Sequence, residues 1–255
     1  MIDTHAHLHL PDFASDRWHV LARGFAFGLD AIVEINIRAR GWSEVVALAD
    51  ADPRVYATLG IHPHEAGPGA PGDLRTLARR LPHPRVVAIG ETGIDRHRRY
   101  AAIEDQERLF VAHLDLARET GLPIVIHCRE AFDEILRILD REARGPWRGV
   151  FHCFSGDLDE ARAVTGRGFH VGLGGAVTYD PVRWRPLVRA LPRERILLET
   201  DAPYLSPAPE RRPRNEPALL FETARFIAGL LEIDPDQLER TADANARALF
   251  GLAGA

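Results

Sequence analysis

The sequence contains no lysine, and all 32 of its basic residues are arginines. Schiff-base catalysis, a Walker-type phosphate loop and a metal bridge through a carbamylated lysine all need lysine, so these mechanisms are excluded. Bound phosphate must therefore be held by metal ions, arginine, histidine or backbone groups. The net charge of −5 disfavours a broad basic surface that coats duplex DNA, but it allows a metal pocket that holds one or two phosphates.

Cysteine is also scarce, with only Cys128 and Cys153. Two cysteines without paired spacing support neither a disulfide framework nor a zinc–thiolate site, and they suit a reducing compartment. The sequence has no uninterrupted apolar run of the roughly 18 residues that a membrane helix needs. Residues 1–5 lack the basic and then apolar layout of a secretory signal. We therefore predict a cytoplasmic protein that does not bind membranes.

Short β-branched segments alternate with longer amphipathic segments along the whole chain. Strands are predicted at 2–7, 31–37, 55–61, 86–91, 123–127, 149–153, 169–173 and 196–201. Their starts are mostly about 25 to 35 residues apart, the length of one β–α unit, and helices are predicted between them, for example at 104–120 and 132–144. The 255 residues are close to the roughly 250 of one closed barrel. The sequence predicts a single (β/α)8 TIM barrel, with residues 1–255 as one domain.

The carboxyl-terminal segment, residues 217–252, predicts two helices. Asp234 and Pro235 interrupt the apolar pattern between them. Asp234 can cap the second helix, with Pro235 at its first position.

Polar residues stand where the predicted strands end, which is where (β/α)8 barrels carry their chemistry. His5 and His7 end the first strand, and alternation places both on one face, so that they can chelate one ion. Four more candidate ligands end later strands: Glu91, His127, His152 and Asp201. Four imidazoles and two carboxylates buried together without a cation would cost several kcal/mol per unpaired charge. The set therefore predicts a metal site.

The two cysteines directly follow two of these histidines, His127 and His152. Successive side chains of a strand point to opposite faces, so Cys128 and Cys153 are expected to face the outer helices. Both are interpreted as small buried apolar residues without a catalytic role.

Several segments together resemble the TatD family of metal-dependent deoxyribonucleases, a branch of the amidohydrolase-like barrels. The resemblance runs from the first strand to the carboxyl terminus. The matching segments are DTHAHL at 3–8, GIHPH at 60–64, IGETGID at 89–95, PIVIHCR at 123–129, FHCFSG at 151–156, LETDAPYL at 198–205, NEP at 215–217 and NA at 245–246.

The resemblance implies an activity and a division of the ligands. Glu91 would bridge two divalent ions, Mg, Mn or Zn. The other ligands would be His5, His7 and Asp201 for the first ion, and His127 and His152 for the second. The implied reaction is hydrolysis of phosphodiester bonds in DNA, and the family is associated with trimming of single strands from the 3′ end and with DNA repair. DNA is then the expected partner, and no obligate protein partner is implied.

Catalytic roles follow from the chemistry of such a centre. Two divalent ions can activate a water molecule and stabilise the charge on the phosphoryl oxygens of an in-line displacement. Besides bridging, Glu91 contributes the charge that holds both cations. Asp201 is predicted to accept the proton of the attacking water; the alternative is that it serves as a ligand only. Mixed imidazole and carboxylate ligation leaves the identity of the metal open.

Three further residues are predicted to bind the substrate: His62, His64 and Arg129. The two histidines follow the third strand and can donate to a phosphate, or they can anchor the loop around Pro63. Arg129 is expected to point inward and to bind a phosphate, or to pair with Glu130. The arginine-rich segment 96–99 can either attract a nucleic-acid strand or be a solvated loop.

Fold alone does not fix the reaction, because similar barrels hydrolyse amides, lactones and phosphotriesters. The feature against the two-metal amide hydrolases is Glu91, which stands where they commonly carry a carbamylated lysine. A metal-binding scaffold without activity is a further alternative. Metal-dependent turnover of a phosphodiester would separate these possibilities.

Overall fold

A sheet of eight parallel strands forms the centre of the computed structural model, which describes residues 1–98, 100–143, 146–209 and 211–253, and only the backbone of residue 71. The strands are β1 (Ile2–Ala6), β2 (Ala31–Ile35), β3 (Val55–Leu59), β4 (Val86–Asp95), β5 (Ile124–Arg129), β6 (Gly149–Phe151), β7 (His170–Leu173) and β8 (Ile196–Leu198). Each strand pairs with the next one along the chain.

Helices follow the strands in regular alternation. The α-helices of the described chain are α1 (Arg17–Ala26), α2 (Trp42–Ala51), α3 (Ala70–Arg80), α4 (Ile103–Thr120), α5 (Phe132–Glu142), α6 (Leu158–Gly166), α7 (Pro181–Ala190), α8 (Leu220–Leu231) and α9 (Pro235–Phe250). The predicted helix 104–120 corresponds to α4. The predicted helix 132–144 corresponds to α5, although residue 144 lies outside the described residues.

Backbone hydrogen bonds between the two ends of the sheet close it into a barrel. The Asp201 amide donates to the His5 carbonyl at 2.8 Å, and the His7 amide donates to the Ala202 carbonyl at 2.8 Å. These bonds join the chain just past β8 to the end of β1. Parallel strands that alternate with outer helices and close in this way form a (β/α)8 barrel, so the predicted fold is confirmed.

The ends of several strands differ from the prediction. β4 continues past residue 91 to Asp95, because residues 92–95 pair with β5. Gly93 permits this pairing: its φ is +142°, and a Cβ atom there would lie 2.0 Å from the carbonyl oxygen of His127. Only glycine tolerates such an approach. β6 ends at Phe151 and β8 at Leu198, before the predicted ends at residues 153 and 201.

Apolar side chains fill both faces of the sheet, and this determines where polar side chains can gather. Ile124, Ile126 and Cys128 alternate into the layer between β5 and the helices. Val125 belongs to a separate inner cluster, which Phe250 at the end of α9 joins. The polar residues collect beyond this filled interior, at the barrel mouth, which we define as the carboxyl ends of the strands and the loops that follow them.

The two carboxyl-terminal helices agree with the prediction. α8 and α9 are separated at Asp234 and Pro235, and Pro235 is the first residue of α9. The Asp234 carboxylate accepts a hydrogen bond from the Asp236 amide at 2.9 Å and so caps the helix.

Both cysteines are free, but only one of them lies on a strand. Cys128 lies on β5 and is buried against the helices, as predicted. Cys153 follows the end of β6 and has a φ of 42°. Alternation along a strand therefore does not apply to Cys153, because β6 is shorter than predicted, and its side chain is only partly buried.

His113 ties α4 to the chain that follows β3. Its ring is fully buried; Nε2 accepts a hydrogen bond from the Ile61 amide at 3.1 Å, and Nδ1 donates to the Leu109 carbonyl at 2.8 Å. Only the neutral imidazole can make both bonds, because protonation would place a second N–H against the Ile61 amide. Burial accordingly lowers the pKa of His113 to about 4.

Replacing His113 by glutamine is expected to reduce the loss of stability in acid. A histidine of the unfolded chain takes up its proton near pH 6.5, and His113 in the folded chain does so only near pH 4. The unfolded state binds more protons between these values, so stability falls as the pH falls through this window. From pH 7 to pH 5 the wild type should lose about 2 kcal/mol more than the variant, measured by urea unfolding of metal-free protein. Equal losses in both proteins would contradict this prediction.

Candidate metal centre

His5 on β1 and His7, which directly follows β1, come together at the barrel mouth, as their spacing predicts. Their Nε2 atoms are 3.2 Å apart. Nδ1 of His7 donates to the Ile35 carbonyl at 2.9 Å, so Nε2 is the nitrogen directed toward the centre. Burial lowers the pKa of His7, but the hydrogen bond to Asp201 outweighs this and raises it to about 9, so a metal ion would displace the proton on Nε2. A backbone partner of this kind fixes both the tautomer and the ring orientation of a metal-binding histidine.

Glu91 lies between two sets of imidazoles, and each of its oxygens faces one set. Oε2 faces His5 at 3.6 Å and His7 at 3.8 Å. Oε1 faces His152 at 2.7 Å, His127 at 2.8 Å and His62 at 3.4 Å. Burial raises the pKa of Glu91, but the imidazoles around it, His152 foremost, lower it well below its usual value. Glu91 is therefore an ionised carboxylate with one oxygen for each set.

Asp201 joins the set that faces Oε2. Its Oδ1 atom lies 3.3 Å from Nε2 of His7 and 3.6 Å from Nε2 of His5. The residue follows β8 with a φ of 58°, and its amide bond to the His5 carbonyl holds it there. Burial raises the pKa of Asp201, but the hydrogen bond to His7 and the charges of the imidazoles outweigh this and lower it.

Two imidazoles from opposite sides of the centre stack on each other. The ring centroids of His5 and His152 are 3.9 Å apart, with 8° between the planes. Burial, with the neighbouring His152 ring, lowers the pKa of His5 to about 3. His5 is therefore neutral at physiological pH, and the neutral imidazole is the form that binds metals.

The donor atoms fit a site for divalent metal ions. Within the described chain, three overlapping groups offer donor atoms that all lie within 4.8 Å of one another. The groups are His5, His152 and Asp201; His5, His7 and Glu91; and His62, Glu91 and His127. All six predicted ligands occur in them. Imidazole nitrogens and two carboxylates that lie this close together can share a cation, and the mixed donor set suits zinc, manganese or iron and, less well, magnesium.

The predicted substrate-binding histidines occupy different positions. His62 lies among the donor atoms, 3.4 Å from Glu91, and burial lowers its pKa to about 4. The structure therefore gives His62 a second possible role, as a ligand, beside the predicted contact with phosphate. His64 lies farther out, and its Nε2 atom is 2.9 Å from Oδ2 of Asp95.

Arg129 ends β5 with an exposed side chain. Among the residues that the structure describes, neither Glu130 nor any other acceptor lies within hydrogen-bonding or ion-pairing distance of its guanidinium group. Glu130 instead pairs with His97 at 2.8 Å. Arg129 thus remains free to bind a phosphate, which is its predicted role.

Asp95 is a member of the site that the sequence analysis missed. Its Oδ2 atom lies 3.0 Å from Nε2 of His127 and 2.9 Å from Nε2 of His64. Because Nδ1 of His127 faces Glu91, Asp95 holds the opposite nitrogen of the same ring. Buried Gln106 fixes Asp95 in turn by accepting its amide hydrogen at 2.8 Å. The available signal was the even spacing of Glu91 and Asp95, but the predicted strand ended too early to use it.

Glu199 is a second carboxylate without a predicted role. It is buried, its Oε1 atom accepts a hydrogen bond from the Cys153 amide, and Oε1 lies 4.0 Å from Nδ1 of His152. Burial, reinforced by the charge of Asp201, raises its pKa well above the usual value. Because β8 ends at Leu198, alternation along a strand could not have indicated the direction of Glu199.

The arginine-rich segment 96–99 is partly neutralised by carboxylates. Arg96 forms an ion pair with Glu134, and His97 pairs with Glu130. Arg98 donates to the hydroxyl of Tyr100 at 3.1 Å, and residue 99 lies outside the described residues. These ion pairs reduce the positive charge that the segment can offer to a nucleic-acid strand.

Comparison with known proteins places this geometry in a family. The sequence matches the family described as TatD related DNase over residues 2–251. It is 36% identical to the 3′-5′ ssDNA/RNA exonuclease TatD of Salmonella typhimurium, with 98% of each chain covered. It is 37% identical to an uncharacterized metal-dependent hydrolase TatD of Mycobacterium tuberculosis, covering 99% of this chain and 98% of that protein. The crystal structure of a TatD homologue from Escherichia coli superimposes with a TM-score of 0.92 at 30% identity, covering 99% of this chain and 98% of that one. The chain belongs to the TatD-related DNase family.

Proposed function

We propose that this protein is a divalent-metal-dependent nuclease that removes nucleotides from the 3′ ends of single-stranded DNA. The observation that carries the proposal is the position of Glu91, whose two oxygens face two sets of imidazoles. Two ions held by one bridging carboxylate suit the in-line displacement at a phosphodiester. Family membership and a relative named as a 3′-5′ ssDNA/RNA exonuclease support the same reaction.

The six predicted ligands are proposed to hold two divalent ions, magnesium, manganese or zinc. His5, His7 and Asp201 would hold one ion, His127 and His152 the other, and Glu91 both. When bound, the ions lower the pKa of a water molecule and stabilise the charge on the phosphoryl oxygens. Asp95 keeps the His127 ring oriented, because a carboxylate on the far nitrogen of such a ring fixes its tautomer.

The remaining steps fall to side chains around this centre. Asp201 is proposed to orient the attacking water and to accept its proton, since it is ionised and more exposed than Glu91, at 8% against 3%. Arg129 is proposed to bind a phosphate oxygen through its free guanidinium group. His62 and His64 are proposed to contact the phosphate or the leaving oxygen, with His64 oriented by Asp95.

The test is digestion of end-labelled DNA across a panel of metals. Single-stranded and duplex substrates, labelled at the 5′ or the 3′ end, are incubated with magnesium, manganese or zinc and, as a control, with a chelator. We expect metal-dependent shortening from the 3′ end, faster on single strands. Metal-dependent hydrolysis of a phosphotriester, lactone or amide without cleavage of DNA would instead support the alternative reactions of this class of barrel.

Binding of single-stranded DNA is expected to depend only shallowly on salt. An acidic protein that holds its substrate through two ions and a few side chains displaces few counterions. For about two to four phosphate contacts, the slope of log K against log salt should lie between about −1.5 and −3. It can be measured with an Asp201→Asn variant, so that binding is separated from turnover. A slope of about −6 or steeper would indicate an extended arginine surface around segment 96–99 and would contradict a pocket-centred site.

We further propose that residues 1–255 act as one domain in the cytoplasm. Every proposed ligand comes from this one chain, so no protein partner is needed to complete the site. In the part of the chain that the structure describes, no helix is long and apolar enough to cross a membrane. The two free cysteines suit a reducing compartment.

A further inference from the structure

The large exposed hydrophobic side chains are unevenly distributed over the barrel. Trp18 and Val182 are the second residues of α1 and α7, Tyr100 lies between β4 and α4, and Tyr204 follows β8. These four lie at the barrel mouth, because each helix begins at the end of the strand before it. The fifth one in the described chain, Phe27, lies at the opposite end of α1. Scattered exposed apolar residues need no explanation, but Tyr100 and Tyr204 also lie against rings of the histidine cluster.

Tyr204 is held beside the set of imidazoles that faces Oε2 of Glu91. Its amide donates to the Asp201 carbonyl at 2.8 Å, and its carbonyl accepts from the Asn215 side chain at 2.7 Å. The ring lies 6.1 Å from the ring of His7, centroid to centroid, at 65°. The side chain is nevertheless 51% exposed. A rigid backbone therefore presents an open aromatic ring next to a proposed metal ligand.

Tyr100 lies on the other side of the site, beside the set of imidazoles that faces Oε1 of Glu91. Its ring lies 4.8 Å from the ring of His64, at 88°, and His64 connects through Asp95 to His127. Arg98 donates to the Tyr100 hydroxyl. The side chain is 66% exposed, so the edge-to-face contact with His64 orients the ring but leaves most of its surface open.

We propose that Tyr100 and Tyr204 are nucleobase-stacking residues that bind the two unpaired bases on either side of the scissile phosphate. This inference rests on the proposed nuclease function and explains how the site would select its substrate. Aromatic rings stack on any base, whatever its sequence, because every base has a π face. Bases at a duplex end are already paired and stacked, so both rings can be used only by a single strand. The two stacking residues would thus give the site a preference for single strands, which the metal ligands alone do not provide.

The test is a double-mutant cycle between protein and DNA. Tyr100→Ala and Tyr204→Ala are made in the Asp201→Asn background, and Kd is measured for a short single strand and for strands with one abasic site at the terminal or the penultimate position. Each alanine variant should raise Kd for intact DNA about 5- to 100-fold. The same variant should have no effect on the strand that lacks the base stacked on that ring. Tyr→Phe variants should bind like the parent, because stacking uses the ring face.

Phe27→Ala is the matched control, because Phe27 is exposed to the same extent as Tyr100, at 66%, but lies on the opposite face. It should leave Kd unchanged. As a second readout, 2-aminopurine at either position should be quenched on binding by the parent, and each alanine variant should lose the quenching at one position. If the alanine variants bind both intact and abasic strands like the parent, the stacking proposal is wrong, although wild-type digestion of DNA would still support the nuclease. If the wild type neither digests nor binds DNA, the proposed function itself is wrong.

Discussion

Replacement of Glu91 by alanine is expected to lower kcat/KM for DNA hydrolysis by at least about 10³-fold, because the metal ions contribute several kcal/mol to stabilisation of the transition state. Glu91 faces both sets of imidazoles through its two oxygens, so its loss removes the proposed bridge between the ions. Glu91→Gln should be nearly as inactive, since the amide fills the same space without the negative charge. Metal content, measured by mass spectrometry, should fall below two ions per chain in both variants.

The barrel of both variants should stay folded, because Glu91 lies outside the two apolar clusters that fill the fold. Circular dichroism can verify this. Glu65→Gln is a suitable control: Glu65 pairs with Arg38 at 2.9 Å on the exposed rim of the mouth, so the variant removes one carboxylate charge without touching a proposed ligand. It should retain its activity and its metal. Full activity of Glu91→Ala with two bound ions would refute the role assigned to this residue.

Periodicity was sufficient to predict the part of the site at the end of β1. The spacing of His5 and His7 predicted a shared face, and their Nε2 atoms meet at 3.2 Å. The eight strands and their parallel order followed from alternation with helical segments, and the sheet has that order. Local sequence determines these features, because successive side chains of a strand point to opposite faces of the sheet.

Alternation failed where tertiary contacts decide the end of a strand. Gly93 lies beyond the predicted end of the strand, yet it belongs to β4, where the backbone of His127 approaches too closely for any side chain. The prediction ended the strand at Glu91 and so missed Asp95. The close contact at Gly93 depends on β5, which is distant in sequence, so no local sequence pattern could have shown it.

The opposite error occurred at β8, which was predicted to reach Asp201 and ends at Leu198. Asp201 has a left-handed backbone conformation, so its direction does not follow from counting residues along a strand. Its hydrogen bond to the His5 carbonyl places it in the site. Asp201 was predicted as a ligand from its place at the expected end of the last strand, and its grouping with His5 and His7 came from the resemblance to a family. Closure of the barrel supplies the physical reason for its position.

Replacing Asp201 by asparagine is expected to lower kcat by about 10²- to 10⁴-fold, the range for loss of a positioned general base. Asparagine has the same shape and can still offer an oxygen to a metal, but it cannot accept the proton of the attacking water. Surrounding imidazoles keep the pKa of Asp201 low, so the wild-type carboxylate is in its basic form at neutral pH. The measurement is kcat on single-stranded DNA at increasing concentrations of metal.

The metal titration separates a base from a residue that is a ligand only. His7→Asn is the matched control, since His7 lies 3.3 Å from Asp201 in the same set and has no proposed role in proton transfer. If ligation is all that His7 contributes, a high metal concentration should restore much of the rate of His7→Asn. Asp201→Asn should stay slow even when mass spectrometry shows two ions per chain, because saturating the site does not replace the missing base. Recovery of the wild-type rate by Asp201→Asn at high metal would show that Asp201 acts only as a ligand, and proton transfer would then have to be assigned to another group at the mouth.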